Sequence, residues 1–201
     1  MKIIVFFLWL ATVPRCFAQT DTNVIGTGTW SEVVVDSKGY GLRGRLLVYD
    51  DHVRESENHA RVYLELQHVF RDFWGFPMEF HFDLSHTNEL HFELHDAHGQ
   101  PMASTGIAIV GMLPPPYRVV LPCDSTLRFR ADSCNLGPGS RPDGLEILTF
   151  PVCWMLPPGS TNSYFLSATF TPPKDSPSSP DNHVWQGTLR LPAVKIQVGK
   201  P

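Results

Sequence analysis

Two neighbouring stretches of this chain alternate strictly between hydrophobic and polar residues. The first covers residues 80–84 and the second covers residues 90–95, with a polar break between them. A period of two is typical of strands that bury one face and expose the other. With residues 85–89 as the loop, the pattern predicts an antiparallel hairpin in which Phe82 faces Phe92 on the buried side.

Other runs of similar character recur along the chain, and Gly or Pro residues separate most of them. They occupy residues 30–36, 42–49, 61–69, 107–112, 117–121, 127–131, 145–150, 163–171 and 185–198. No stretch has a convincing helical period, so the sequence predicts roughly nine to eleven short strands. This pattern is typical of an all-β protein, and we expect an antiparallel β-sandwich.

Residues 1–18 have the features of a secretory signal peptide. Lys2 precedes an almost wholly apolar stretch at residues 3–13, and cleavage is expected after Ala18. An uncleaved anchor is the alternative, but this apolar stretch is shorter than the ~20 residues that a membrane span needs. We therefore expect a secreted protein, extracellular or periplasmic, with no membrane attachment after cleavage.

No shift in composition marks a domain boundary between residues 24 and 200. We assign residues 19–56 to N-terminal strands or to an extension packed on the domain, with residues 19–29 as a loose leader. Residues 57–201 then form the core of the β-sandwich. The sequence thus predicts a single domain overall.

The charge balance of the chain argues against a nucleic-acid partner. The sequence has 16 basic and 20 acidic side chains and a formal net charge of -4. Cleavage after Ala18 would remove Lys2 and Arg15, which lowers the formal charge by two more units. A mildly acidic chain without a run of basic residues is a poor candidate for binding nucleic acid.

Three cysteines follow the expected cleavage site: Cys123, Cys134 and Cys153. An odd number in an oxidising compartment allows one disulfide and one spare thiol. We expect the bond Cys123–Cys134, because it would close the loop that follows a strand-like run. Three free thiols are the alternative, and spacing alone does not choose among the three pairings.

The polar face of the expected hairpin is the strongest candidate for metal chemistry. It would set His81 opposite Glu93, with His91 on the same face, and imidazoles with carboxylates bind Zn²⁺ or Cu²⁺. Residues i and i+4 of a strand are about 13 Å apart, so His91 and His95 cannot share one ion. The candidate ligands are therefore His81, His91 and Glu93. A polar face that gains charge at low pH is the alternative interpretation.

Other motifs give little support for catalysis. The sequence has no Gly-x-Ser-x-Gly, no His-Glu-x-x-His and no glycine-rich phosphate loop, so we expect a protein that is not an enzyme and needs no cofactor. Trp74 lies in an expected loop, where an exposed indole could stack on a sugar ring. A carbohydrate-binding module is thus one alternative function, and a core position is the other interpretation of Trp74.

Two turn segments resemble parts of bacterial extracellular immunoglobulin-like domains. One is Leu94-His95-Asp96-Ala97-His98-Gly99-Gln100-Pro101, and the other is Leu156-Pro157-Pro158-Gly159-Ser160 before an aromatic strand. The similarity covers roughly residues 61–198. It implies an immunoglobulin-like sandwich of an accessory, adhesive or inhibitory kind, without catalytic residues. We expect a non-catalytic module that binds a protein or a polysaccharide at the cell surface or in the periplasm.

Overall fold

Every regular element in the described part of the chain is a β-strand. The computed structural model describes residues 24–51, 59–69, 80–83, 90–107, 118–131, 144–149, 151–157, 162–172 and 185–197. Among these residues there is no helix, and hence none that is long and apolar enough to cross a membrane. The expected all-β fold is confirmed.

The strands are numbered in chain order. They are β1 (Val24–Thr27), β2 (Val34–Val35), β3 (Gly41–Asp51), β4 (His59–Val69), β5 (Phe80–Asp83), β6 (Leu90–His95), β7 (Gly106–Ile107), β8 (Arg118–Leu121), β9 (Thr126–Arg130), β10 (Leu145–Leu148), β11 (Val152–Leu156), β12 (Ser163–Phe170) and β13 (Leu189–Gln197). All but β1 and β11 overlap a stretch that the sequence assigns to a strand.

The large sheet is organised around the pair of long strands β3 and β4. They pair antiparallel over their whole length, from Gly41 opposite Val69 to Asp51 opposite His59. The strand order in this sheet is β1-β3-β4-β10-β11-β7, with β2 paired to β3 and β9 paired to β4. Residues 24–51 therefore supply three strands of the large sheet.

Two smaller sheets complete the described fold. In the first, the order is β13-β12-β6, and β12 pairs antiparallel with both neighbours. The second consists of β5 and β8, with Phe80 opposite Leu121 and Asp83 opposite Arg118. The three-stranded sheet faces the large sheet, since β13 packs against β3 and β1.

One hydrophobic core joins the large sheet to the three-stranded sheet. Leu46 and Leu64 of the large sheet are fully buried, as are Leu166 and Ile196 of the three-stranded sheet. Fully burying such a side chain contributes about 1.5–3 kcal/mol. Trp185 is also fully buried and lies in the same cluster. The two layers thus have the arrangement of a β-sandwich.

The expectation of a wholly antiparallel sandwich is wrong at one position. β10 pairs with β4 in parallel, with Glu146 opposite His59 and Leu148 opposite Arg61. Apolar alternation along a strand is the same in either direction. Strand direction is decided instead by the long connection between β4 and β10, which the alternation pattern does not encode.

The expected hairpin between residues 80–84 and 90–95 is also wrong. β5 pairs with β8, whereas β6 pairs with β12 in another sheet. Alternation fixes which face of a strand is buried, but it does not select the neighbouring strand. The buried face of β6 is predicted correctly, because Leu90, Phe92 and Leu94 are all buried.

Residues 24–27, expected to belong to a loose leader, form an edge strand instead. β1 pairs with β3, and Gly26 lies against β13 of the facing sheet. A Cβ atom at Gly26 would lie 2.9 Å from the Lys195 carbonyl oxygen, so this close approach requires glycine. The short run between Val24 and Thr27 has too few apolar residues to show a period.

The turn expected at residues 96–101 is confirmed. Asp96 Oδ1 accepts hydrogen bonds from the backbone N–H groups of His98 and Gln100, both at 2.8 Å. Gly99 has φ 76°, a conformation that favours glycine. The hydrogen bonds from Gln100 and then from His98 lower the pKa of Asp96, because they stabilise its ionised form.

Candidate binding surface

Alternation along β3 gives the large sheet one buried face and one outer face. Leu42, Leu46 and Val48 are fully buried, so Arg43, Arg45 and their outward neighbours point away from the core. Residues opposite each other in antiparallel pairs lie on the same face, which extends this outer surface to β4 and β9. We call ten of its side chains the arginine face: Trp30, Arg43, Arg45, Tyr49, Arg61, Tyr63, Glu65, Gln67, Arg128 and Arg130.

Glu65 of β4 lies at the centre of the arginine face. Its Oε2 accepts a hydrogen bond from Arg45 Nε of β3 at 2.5 Å, and its Oε1 accepts from Arg128 Nε and Nη2 of β9 at 3.2 and 3.1 Å. The Glu65 side chain is only 7% exposed, so this carboxylate needs charged partners. One acidic residue thus orients two guanidinium groups on the strands at either side.

Trp30 also contacts and orients both arginines of β3. The Arg43 and Arg45 guanidinium carbons lie 4.9 and 4.5 Å from the centre of the Trp30 ring, within the range of cation–π contacts. Arg43 Nε also donates a hydrogen bond to Gln67 Oε1 at 2.8 Å. Both arginines of β3 are therefore held in place before any ligand binds.

Two tyrosines extend the arginine face along β3 and β4, beyond Arg45 and Glu65. The rings of Tyr49 and Tyr63 meet edge to face, with centroids 5.0 Å apart. Arg128 Nη1 donates a hydrogen bond to the Tyr49 hydroxyl at 2.9 Å. These contacts join three strands, because the residues belong to β3, β4 and β9.

The ten side chains of the arginine face carry a net positive charge although the chain as a whole is acidic, and Glu146 of β10 borders them opposite His59. The arginine face has five guanidinium groups and one carboxylate, whereas the chain has a formal net charge of -4. Within the part of the chain that the structure describes, Arg43 and Arg45 each form one hydrogen bond, through Nε. The Arg45 side chain is 27% exposed, and the terminal nitrogens of a guanidinium group make bidentate contacts to carboxylates.

Sequence reasoning missed the arginine face because its members are far apart in the chain. The signal in the sequence is the motif Arg-x-Arg inside two expected strands, at Arg43 and Arg45 and again at Arg128 and Arg130. Such a motif places two arginines on the same face of a strand. Only the pairing of β3 and β9 with β4 brings the motifs together.

The structure does not bring the expected metal ligands together as a hairpin would. His81 lies in β5 opposite Val120, while His91 and Glu93 lie in β6 of another sheet. Among the residues that the structure describes, no three His, Cys, Asp or Glu side chains form a group that could hold a metal ion. Metal binding by His81, His91 and Glu93 stays a prediction without the hairpin that motivated it.

Trp74 and Cys134 lie outside the described residues, as do residues 1–18. The sugar-stacking role of Trp74, the bond Cys123–Cys134 and the signal peptide therefore stay predictions. Cys123 itself lies in the turn between β8 and β9. Its neighbour Asp124 has φ 57°, in the left-handed region.

A second cluster of titratable groups lies on β10, β11 and the start of β4. His59 Nδ1 is 3.1 Å from Glu146 Oε2. Burial raises the pKa of the Cys153 thiol, and the nearby Glu146 carboxylate raises it further. A nucleophilic cysteine needs a lowered pKa, so the arrangement does not suit covalent catalysis.

His68 is the inward side chain near the end of β4, and it is fully buried. Its Nδ1 donates a hydrogen bond to the Leu121 carbonyl oxygen at 3.0 Å, and its backbone bonds to Asp124 and Ser125. Burial lowers the pKa of His68, although the Leu121 hydrogen bond and Asp124 act in the opposite direction. This histidine fixes the β8–β9 turn to β4.

An open cleft of about 340 Å³ is lined by β6, β11 and residues 101–104. Phe92, Met102 and Trp154 form much of its apolar wall, with Glu93 and His95 among the polar lining residues. Trp154 Nε1 already donates a hydrogen bond to the Met102 carbonyl oxygen at 3.1 Å. Since Phe92 and Trp154 are nearly buried core residues, the cleft offers a ligand little of their surface.

Comparison with known proteins adds no relative to this picture. No family model matches the chain, and neither a curated protein nor a solved structure matches it. Function is therefore inferred from the geometry and charge of the arginine face.

Proposed function

We propose that this protein is a non-catalytic, secreted β-sandwich module that binds an acidic protein partner through the arginine face. The observation that carries the proposal is the row Arg45–Glu65–Arg128, in which one nearly buried carboxylate orients guanidinium groups on two different strands. A charged surface of this kind is built in advance and not assembled on binding.

The composition of the arginine face supports a macromolecular partner. Arg, Tyr and Trp are the residues most enriched among those that dominate the energy of protein interfaces. Ordering a long side chain on binding costs about 0.5–1.5 kcal/mol, and contacts with Trp30, Gln67 and Glu65 reduce that cost for Arg43 and Arg45. The outer face of a sheet offers a wide contact area, which suits a protein better than a small molecule, because small-molecule sites are concave.

The aromatic residues of the arginine face favour a protein over a polysaccharide. Sugar rings stack on uncovered indole faces, but two guanidinium groups already lie over the Trp30 ring. The Tyr49 hydroxyl is engaged by Arg128. A carbohydrate-binding role through Trp74, and weak Zn²⁺ or Cu²⁺ binding by the histidines, stay alternatives that the arginine face does not support.

We infer further that the domain is immunoglobulin-like and acts outside the cytoplasm. Support comes from the two packed sheets, from the Asp96 turn that resembles immunoglobulin-like accessory domains, and from the signal-like sequence at residues 1–18. The parallel pair β4–β10 departs from the antiparallel pattern of that fold. A mildly acidic chain without a run of basic residues is a poor candidate for binding nucleic acid.

A binding measurement with poly-L-glutamate, an unstructured chain of carboxylates, tests the proposed function. We expect Arg43→Ala with Arg45→Ala to weaken binding at least about tenfold, which corresponds to about 1.4 kcal/mol. The matched control is Arg190→Ala with Lys195→Ala, which removes two exposed charges from the three-stranded sheet and should leave affinity nearly unchanged. Binding should also weaken as salt is raised.

Three outcomes would contradict the proposed function. Poly-L-glutamate fails to bind, both double variants lose the same affinity, or dextran or a duplex DNA binds more tightly than poly-L-glutamate at equal salt. Circular dichroism of each variant checks that the β-fold is retained.

A further inference from the structure

Building on the proposed function, we propose that the arginine face recognises an extended acidic segment whose carboxylates lie at positions i and i+2. Arg43 and Arg45 contact the two carboxylates, and Trp30 and Glu65 hold these arginines in position. The partner segment then has two Asp or Glu side chains separated by one residue, in a strand-like conformation.

The spacing of Arg43 and Arg45 matches the spacing of residues i and i+2 in an extended peptide. Arg43 and Arg45 are alternate residues of one strand, so their Cα atoms are about 6.6–6.8 Å apart. An extended peptide repeats its same-side residues at the same interval. Two carboxylates at i and i+2 can therefore meet both arginines at once, whereas carboxylates at i and i+1 of a strand point to opposite sides.

The hydrogen-bond donors of Arg43 and Arg45 suit one carboxylate each. Nε of each arginine is already bonded inside the arginine face, to Gln67 for Arg43 and to Glu65 for Arg45. The terminal nitrogens of a guanidinium group form paired bonds to the two oxygens of one carboxylate. Each arginine can thus donate paired hydrogen bonds to one carboxylate. The two arginines together match two acidic side chains at positions i and i+2.

The contacts of Arg128 explain why β3, and not β9, carries the two residues that bind the acidic segment. Arg128 uses Nε and Nη2 on Glu65 and Nη1 on Tyr49, so its donors hold the three strands together. Arg45 uses only Nε on the same carboxylate, although its side chain is less exposed, 27% against 40% for Arg128. Arg128 is therefore a positioning residue, and Arg43 and Arg45 are the ligand contacts.

The test uses short peptides that carry two glutamates in a threonine- and valine-rich host. The glutamates stand at i and i+2, or at i and i+1, and a third peptide places them at i and i+4 in an alanine-rich helical host. Dissociation constants come from NMR titration of the intact protein. We expect the i,i+2 peptide to bind at least about fivefold more tightly than either of the others.

Arg-to-Lys variants show whether recognition depends on the planar donor pairs of the guanidinium groups or only on their positive charge. Arg43→Lys with Arg45→Lys keeps the charge but removes the planar donor pairs, and it should abolish the preference for i,i+2 spacing. Arg190→Lys, a matched change on the three-stranded sheet, should keep that preference. Arg43→Ala alone should lower the affinity for the i,i+2 peptide to that for the i,i+1 peptide.

Failure of this inference is distinguishable from failure of the proposed function. Equal affinity for all three peptides, a preference for the helical peptide, or no peptide binding while poly-L-glutamate still binds through Arg43 and Arg45 would overturn the i,i+2 rule alone. No binding of poly-L-glutamate to the arginine face would overturn both.

Discussion

The two outer faces of the sandwich follow the same alternation but differ in what they expose. The arginine face of the large sheet carries long cationic and aromatic side chains that contact one another across three strands. The outer face of the three-stranded sheet carries Ser167 and Thr169 of β12 beside His91 and Glu93 of β6. Its long cationic side chains, Arg190 and Lys195, both lie on β13. Alternation alone specifies a polar face, and the size and charge of its residues decide whether that face can bind a partner.

Removing the central carboxylate should reveal the largest difference in stability between the two faces. We expect Glu65→Ala to lower the free energy of unfolding by about 1–3 kcal/mol, because two guanidinium groups lose a nearly buried partner. The matched change Glu93→Ala removes an exposed carboxylate from the three-stranded sheet and should cost less than about 0.5 kcal/mol. Urea denaturation measures both. Equal losses would mean that Glu65 contributes no more than an ordinary surface charge.

Removing the indole should produce a smaller effect on the same face. Trp30→Ala deletes two cation–π contacts, each of about 0.5–1 kcal/mol at an exposed site, so we expect a loss of about 1 kcal/mol in stability and weaker poly-L-glutamate binding. Trp30→Phe keeps an aromatic ring and should retain most of both properties. Unchanged binding by Trp30→Ala would show that Arg43 and Arg45 need no such support.

The pH dependence of stability should come from the buried histidine and not from the outer face of the three-stranded sheet. Burial lowers the folded-state pKa of His68 below its unfolded value, so the neutral form is favoured by folding. Its contribution is fully present above pH 6.5 and is lost as pH falls through the folded-state pKa. Tyr40 and Asp124 are the neighbouring groups that share this environment.

Thermal melting between pH 7.5 and pH 5.0 tests the role of His68. His68→Gln should flatten the decline in melting temperature with acidity, whereas His91→Gln, at an exposed position, should leave the slope as it is in the wild type. A slope that changes with His91 and not with His68 would reverse the assignment.

The sequence predicted buried faces better than it predicted neighbours. Alternation correctly predicts that Leu90, Phe92 and Leu94 share one buried face, because alternation is a local property. The partner of that strand is Ser163–Phe170, about seventy residues later in the chain, and this pairing depends on packing that no local pattern records. β11 was missed because Val152–Leu156 has no polar residue at alternate positions.

The candidate site was beyond sequence reasoning for a related reason. Each Arg-x-Arg motif was visible inside an expected strand, but nothing in the sequence states that β3 and β9 both border β4. The overall acidic charge pointed away from a basic surface. The cluster is a product of topology, with Glu65 as the link that a single-strand pattern presents only as an outward acid.

The most direct measurement is an NMR titration of the labelled protein with poly-L-glutamate, which compares the two outer faces within one molecule. We expect the largest chemical-shift changes at the Nε–H groups of Arg43 and Arg45 and at the indole of Trp30, with small changes at His91 and Thr169. Changes centred on the three-stranded sheet, or spread evenly over both faces, would contradict the assignment of the arginine face as the binding surface.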